Sequence, residues 1–178
     1  IHHNVDVTII GGGLNGLLAA KSFIKSNYDV LLIDFEEQLG GIINNSNKIS
    51  LIDNKKPKDW LKETIQEIED SKNIKILKNT LVTTYNYINH LIAIEDKFVG
   101  SKPIEGKVNS TLHKIRTGHT ILCNGHIERF LSFQNNDLPG IMLSSSFEKY
   151  MCRYGLSPSK EPVIFSNNSN SNSLVYSL

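Results

Sequence analysis

The run Gly11-Gly12-Gly13-Leu14-Asn15-Gly16 has the residue types and spacing best suited to chemistry. Gly11, Gly13 and Gly16 satisfy GxGxxG, and each has a task in gripping a diphosphate. Gly11 permits a tight turn out of a strand, Gly13 lets the main chain approach a pyrophosphate with no Cβ in the way, and Gly16 lets a helix pack closely on that strand. The start of the helix adds N–H groups without intrahelical partners and a partial positive charge. Asn15 lies in that first turn. Eighteen residues after Gly16 comes Asp34, ending the next apolar run. An acid there can bind both hydroxyls of an adenosine ribose and repels a 2′-phosphate, which favours NAD or FAD over NADP. Gly40-Gly41 follow closely enough for a loop to fold back across the dinucleotide, an ordinary flexible turn being the alternative. Gly125, after Asn124, is placed where a small residue lets the chain pass close to a cofactor; a plain strand-end turn is the rival.

Other chemistries are poorly served. His2, His3, His90, His113, His119 and His126 show no i, i+4 pairing and no nearby carboxylate motif, so no metal is expected. Cys123 stands in an apolar run with no adjacent His or basic cluster to activate it, and reads as a small core residue; Cys152 reads as helix packing. No CxxC, GxSxG or paired-carboxylate signature occurs. Nineteen Lys and Arg offset eighteen Asp and Glu, a formal charge of +1, so no global field draws phosphate backbones or anionic lipid and no nucleic-acid partner is expected. The longest apolar stretches, 7–10 and 17–20, fall far short of the ~18 residues of a membrane span. No leader is visible and two cysteines cannot build a disulfide framework, so a soluble, cytoplasmic protein is expected.

Hydrophobic spacing gives the elements that must position these residues. Val5, Val7, Ile9 and Ile10 make a strand entering the glycines, and Leu17, Leu18, Ala20, Phe23 and Ile24 make the buried face of the helix leaving them. Residues 30–33, apolar throughout, suit a parallel strand covered on both faces and complete a βαβ unit. The Asn-, Ser- and Lys-rich stretch 40–58 suits a solvated loop, after which Asp59 can cap a helix carrying Leu61, Ile65 and Ile68 on one stripe. Residues 74–77 resemble a strand, 81–88 and 91–95 a hairpin about Asn89-His90, and 97–110 a loop with Gly100, Pro103 and Gly106. Two more strands, 112–117 and 120–123, flank Gly118, giving a β-meander at about 81–117. Ser144 or Ser145 can cap a helix that reaches about Tyr154 and ends at Gly155, and 163–165 reads as a buried strand. The expected fold is α/β, a Rossmann-like FAD/NAD(P)-binding domain of the two-dinucleotide-binding flavoprotein type over residues 1–160, with the meander inserted. Residues 161–178 would begin a second, truncated nucleotide-binding lobe, so the 178-residue sequence reads as an excerpt.

Together these residues resemble the α subunit of heterotetrameric sarcosine oxidase and related bacterial multi-subunit amine dehydrogenases. The likeness includes Asp6-Val7-Thr8-Ile9-Ile10-Gly11-Gly12-Gly13, generic to dinucleotide-binding flavoproteins. More particular is the stretch from Ile127-Glu128-Arg129 to Pro139-Gly140-Ile141-Met142, and the likeness continues through Arg153-Tyr154-Gly155 to Val163-Ile164-Phe165-Ser166-Asn167-Asn168. The resemblance implies the dinucleotide-binding part of a larger subunit, holding NAD as first choice or FAD. It implies docking to a flavin-bearing β subunit and smaller subunits, with FMN at the interface, and oxidative demethylation of sarcosine or a related secondary amine with electrons passing to flavin. No catalytic residue is implied in this chain. Carried over by position, the cofactor contacts are Gly11, Gly12, Gly13, Leu14, Asn15, Gly16, Asp34, Phe35, Glu36, Gly40, Gly41, Ile42, Val82 and Gly125. Val82 is included because the main chain at the start of the meander commonly meets the adenine edge in such folds. Asn15 departs from a usual alanine, Cys123-Asn124 from a small residue and Thr, and Ser169 from an Asp. Two other readings are a stand-alone flavin-dependent NAD(P)H reductase, against which stand the missing CxxC and second glycine cradle, and a non-catalytic nucleotide-binding module, favoured by the polar substitutions.

Overall fold

The computed structural model describes residues 1–45, 47, 49–97, 109–167 and 172–175. In chain order its elements are β1 (His2–Ile10), α1 (Leu14–Ser22), β2 (Val30–Ile33), α2 (Ile42–Asn45), α3 (Pro57–Glu69), β3 (Ile74–Leu77), β4 (Thr80–Asn86), β5 (His90–Asp96), β6 (Ser110–Leu122), α4 (Ser144–Tyr154) and α5 (Asn172–Val175). The strands form one sheet in the order β3-β2-β1-β6-β5-β4, parallel from β3 to β6 and antiparallel from β6 to β4. The chain divides into two compact units, Ile1–Gly41 with Leu61–Gly125, and Ile42–Trp60 with His126–Leu178.

The first unit holds the whole sheet. All four residues of β2 are buried, as an uninterrupted apolar run in a central parallel strand requires. Leu31, Ile33 and Leu77 of the parallel strands share one cluster with Leu91, Ala93 and Ile115 of the meander, and Val5, Ile10 and Val82 pack against it. The cluster thus joins the parallel and antiparallel parts of the sheet, with Val5 and Ile10 on the intervening β1. Each fully buried Leu or Ile there contributes about 1.5–3 kcal/mol. On α1, Leu17 and Ala20 are buried but Leu18 is exposed, and the helix stops at Ser22, so Phe23 and Ile24 lie beyond it.

Several expectations are corrected. The two strands about Gly118 are one, β6, which runs on past the glycine; a Cβ at Gly118 would come within 2.9 Å of the Asp6 carbonyl oxygen, so its absence is what lets β6 lie against β1. Helix α3 starts at Pro57, whose missing N–H costs nothing at a helix start, and Asp59 sits in the first turn rather than capping it. The polar stretch after Gly40 holds the short α2 and a bridge between Ile52 and Lys55. Most of the expected loop at 97–110, residues 98–108, lies outside the described residues, as do 168–171 and 176–178 of the expected second lobe.

In the second unit α4 ends as expected, with Gly155 left-handed at φ 65° and its N–H donating to the Met151 carbonyl, while Leu156 N–H reaches that of Tyr150. Its start differs. Leu143 occupies the cap position, and the Glu128 carboxylate accepts from Ser144 Oγ and Ser145 N–H, each at 2.8 Å. These bonds outweigh the burial that works against ionisation and hold the Glu128 carboxyl below its ordinary range. Residues 163–165 form no strand: Val163 is 95% exposed and Phe165 72%, and an isolated segment has no ladder to complete.

Candidate dinucleotide site

The glycine run makes the turn from β1 into α1, and each glycine meets different surroundings. Gly11 has φ 105°, and a Cβ there would fall 2.3 Å from the Cys123 carbonyl oxygen. At Gly16 a Cβ would fall 1.7 Å from the Gly11 carbonyl oxygen, so α1 lies directly on the strand end. Gly12 is buried, and its Cβ would strike Leu39. Gly13 differs: it is the cap residue of α1 at φ −74°, and a Cβ would meet nothing nearer than Gly41 Cα at 4.0 Å.

The loop's hydrogen bonds decide which amides can serve a ligand. Gly11 N–H donates to the Ile33 carbonyl at 2.8 Å, and Gly12 N–H donates to Asp34 Oδ2. Both are spent within the fold. What is left for an anion is the first turn of α1, where no side chain caps the helix and no acid stands. Leu14 is half-buried and Asn15 exposed. Gly40 N–H donates to the Gly12 carbonyl at 2.8 Å, and a bridge joins Gly13 to Gly40, so the two glycine pairs clasp one another. Gly40 and Gly41 both have positive φ, 123° and 51°, which favours glycine, and a Cβ at Gly41 would stand 3.1 Å from Gly13 Cα.

Asp34 is 8% exposed, with Oδ1 accepting the Glu36 N–H at 2.7 Å. Burial pushes its carboxyl above the ordinary range, partly offset by the Glu36 and Gly12 N–H groups. The main chain is fixed too: Asp34 N–H donates to the Leu77 carbonyl, Thr80 N–H to that of Asp34 (both 2.9 Å), and Asn79 N–H to that of Glu36 (3.2 Å). Phe35 projects outward, 65% exposed, and Glu36 is half-buried. Val82 begins a register shift in β4 that extends to Thr84, while its side chain faces the core. Gly125, at φ 70°, closes the first unit with nothing within 4 Å of its Cβ position. The first unit thus brings together residues 11–16, 34–36 and 40–41 beyond the ends of β1 and β2. Ile42, 39% exposed, opens α2 in the second unit.

Cys123 is half-buried, and burial pushes its thiol upward, away from the reactive thiolate. Sequence reasoning did not reveal a polar chain from β1 through β6 to β5. His3 Nε2 lies 2.8 Å from His113 Nδ1, and His113 Nε2 lies 3.2 Å from Glu95 Oε2. One tautomer satisfies every bond: His3 Nε2–H donates to His113, whose Nε2–H donates to the carboxylate. Burial first, then the charge of Lys75, lowers the His3 pKa. With the two histidines 110 positions apart, no local pattern could signal the contact. Among the described residues, no group of three His, Cys, Asp or Glu could hold a metal ion.

Fold and site define an α/β Rossmann-like dinucleotide-binding domain that resembles those of flavoprotein oxidoreductases, and residues 9–58 match the NAD(P)-binding Rossmann-like domain family. The chain is related along its length to sarcosine oxidase α subunits. It is 30% identical over 175 residues to sarcosine oxidase subunit alpha of Rhizobium meliloti (strain 1021), covering 97% of this chain and 17% of that one. To the same subunit of Corynebacterium sp. (strain P-1) it is 28% identical over 180 residues, covering 100% and 18%. The chain therefore spans less than a fifth of these relatives. Among solved structures, L-proline dehydrogenase from P. horikoshii superposes with a TM-score of 0.70 at 23% identity, over 88% of this chain and 30% of that one. Lactococcus lactis thioredoxin reductase gives 0.53 at 19% identity, over 75% and 39%. Both likenesses concern the fold. Among the described residues, no helix is long and apolar enough to cross a membrane.

Proposed function

We propose that the first unit holds an adenine dinucleotide, NAD in the first place and FAD as the alternative, as the dinucleotide-binding part of a sarcosine oxidase-like α subunit. The reading rests on Gly13, where a loop clasped by Gly40 leaves the Cβ position open before an uncapped helix start. A diphosphate fits that opening, beside Gly13 and Leu14, with N–H groups of the first turn of α1 such as those of Asn15 and Gly16 as donors. Gly11 and Gly12 shape the loop. Asp34 accepts one N–H on each oxygen and keeps further lone pairs for the hydroxyls of a ribose. Phe35 and Glu36 lie beside that ribose, the main chain at Val82 meets the adenine edge, and Gly40, Gly41 and Gly125 let the chain pass close by. When bound, the dinucleotide supplies a two-electron acceptor; the chain's own residues bind, orient and supply no acid or base.

The end-to-end similarity to sarcosine oxidase α subunits supports the wider assignment. In the complete assembly a flavin-bearing β subunit takes sarcosine or a related secondary amine, FMN lies at the interface, smaller subunits complete the oligomer, and the site of action is the cytoplasm. Calorimetric titration of the purified chain with NAD, FAD and NADP tests the core of the reading. One of the first two should saturate a single site and NADP should bind at least about tenfold more weakly, since its 2′-phosphate meets Asp34. Failure of both NAD and FAD to bind would refute it.

A further inference from the structure

The Asp34 carboxylate is engaged on both oxygens before any ribose reaches it, by Gly12 N–H on Oδ2 and Glu36 N–H on Oδ1. It is also carried on a fixed support, because the Asp34 main chain bonds Leu77 on one side and Thr80 on the other. Gly12 is correspondingly held from three directions: its N–H by Asp34, its carbonyl by Gly40 N–H, and its Cα face by Leu39. In a planar trans peptide the N–H of Gly12 and the carbonyl of Gly11 point in opposite directions. Fixing the first toward Asp34 therefore turns the second toward Gly16, whose missing side chain leaves the space that the Gly11 oxygen fills.

On the dinucleotide reading above, we propose that Asp34 is a positioning residue for the diphosphate loop: its carboxylate fixes the Gly11–Gly12 peptide plane, and through it the direction of the amides from Gly13 onward, besides meeting the ribose. The task needs a group that only accepts. An asparagine would set its NH₂ against one of two N–H donors, leaving a buried donor unpaired.

The test compares ADP with 2′,3′-dideoxy-ADP, which keeps the diphosphate and lacks both ribose hydroxyls, on the unaltered chain and on Asp34→Asn. A carboxylate that served the ribose alone would give a loss on substitution that disappears with the dideoxy nucleotide. A positioning carboxylate gives a loss of at least about tenfold with both, the worth of one charge-assisted hydrogen bond. Dideoxy-ADP binding equally well to both proteins overturns the proposal. Should ADP fail to bind the unaltered chain, the dinucleotide reading falls and this one with it. A second measurement needs neither variant nor nucleotide: in the ligand-free chain the Gly12 amide proton resonance should move with the titration of the Asp34 carboxyl. A Gly12 resonance indifferent to that titration overturns the proposal even where Asp34→Asn does not fold.

Discussion

Gly13 and Gly16 belong to one motif, yet the structure assigns them opposite sensitivities, and a pair of substitutions separates them. In Gly16→Ala the new methyl carbon would stand 1.7 Å from the Gly11 carbonyl oxygen and 2.9 Å from its carbon, both main-chain atoms that cannot rotate away. To relieve the overlap α1 must lift off the strand end, drawing buried Leu17 and Ala20 from their contacts. Overpacking of this kind costs about 1–3 kcal/mol, and partial exposure of Leu17 brings the total to the upper end of that range. In Gly13→Val the first added carbon has 4.0 Å of clearance, and φ of −74° is open to any residue, so the cost is that of a poorer helix cap, about 1 kcal/mol or less. For binding the order reverses in kind: Gly13→Val fills the opening for the diphosphate and should abolish dinucleotide retention in a protein that still folds. Urea unfolding followed by circular dichroism gives the stabilities, and calorimetric titration gives the affinities. Unaltered stability in Gly16→Ala would falsify the helix–strand contact, and unaltered affinity in Gly13→Val would remove the cradle from the functional assignment.

Three further expectations concern the supports of the fold. His3 is held below its ordinary pKa of 6.5, so the folded chain binds fewer protons than the unfolded one as the pH falls from that value; stability should decline across that window, and His3→Gln should flatten a plot of melting temperature against pH. Glu128 is held below its ordinary 4.5, so the stability it adds is present above that value and is lost as the pH falls through its folded value; Glu128→Gln should cost about 0.5–2 kcal/mol, read as faster amide hydrogen exchange in the first turns of α4, and unchanged exchange there would argue against the cap. Asn73 Nδ2 donates to the carbonyls of Phe23, Ser26 and Tyr28 at 2.9, 3.3 and 2.9 Å, so Asn73→Ala should cost about 1–3 kcal/mol in a urea melt while leaving nucleotide affinity intact, since Asn73 precedes β3 and the glycine loop lies beyond the opposite strand ends.

What was legible in the sequence is what neighbouring residues decide among themselves. The glycine turn, the run 30–33 and the stop at Gly155 each depend on a few adjacent positions, and each forms where the pattern puts it. Gly118 misleads because a glycine within a strand pattern resembles a break, whereas its reason lies across the sheet at Asp6. Residues 163–165 mislead in the other direction: apolar character suits a strand, but a strand is a property of a pair. The same distinction governs the site. Local spacing identifies the glycines that must be small, but not which of their amides are already bonded, because the bonds that consume them come from Ile33 and Asp34, more than twenty residues away. Counting those bonds takes the Gly11 and Gly12 amides out of the set a ligand could use and agrees with donors at the start of the helix. It also explains how a loop of small residues with little side-chain packing of its own can keep one conformation: the conformational entropy that three consecutive glycines would retain is opposed by hydrogen bonds to Ile33, Asp34 and Gly40, each supplied by a neighbouring strand or turn.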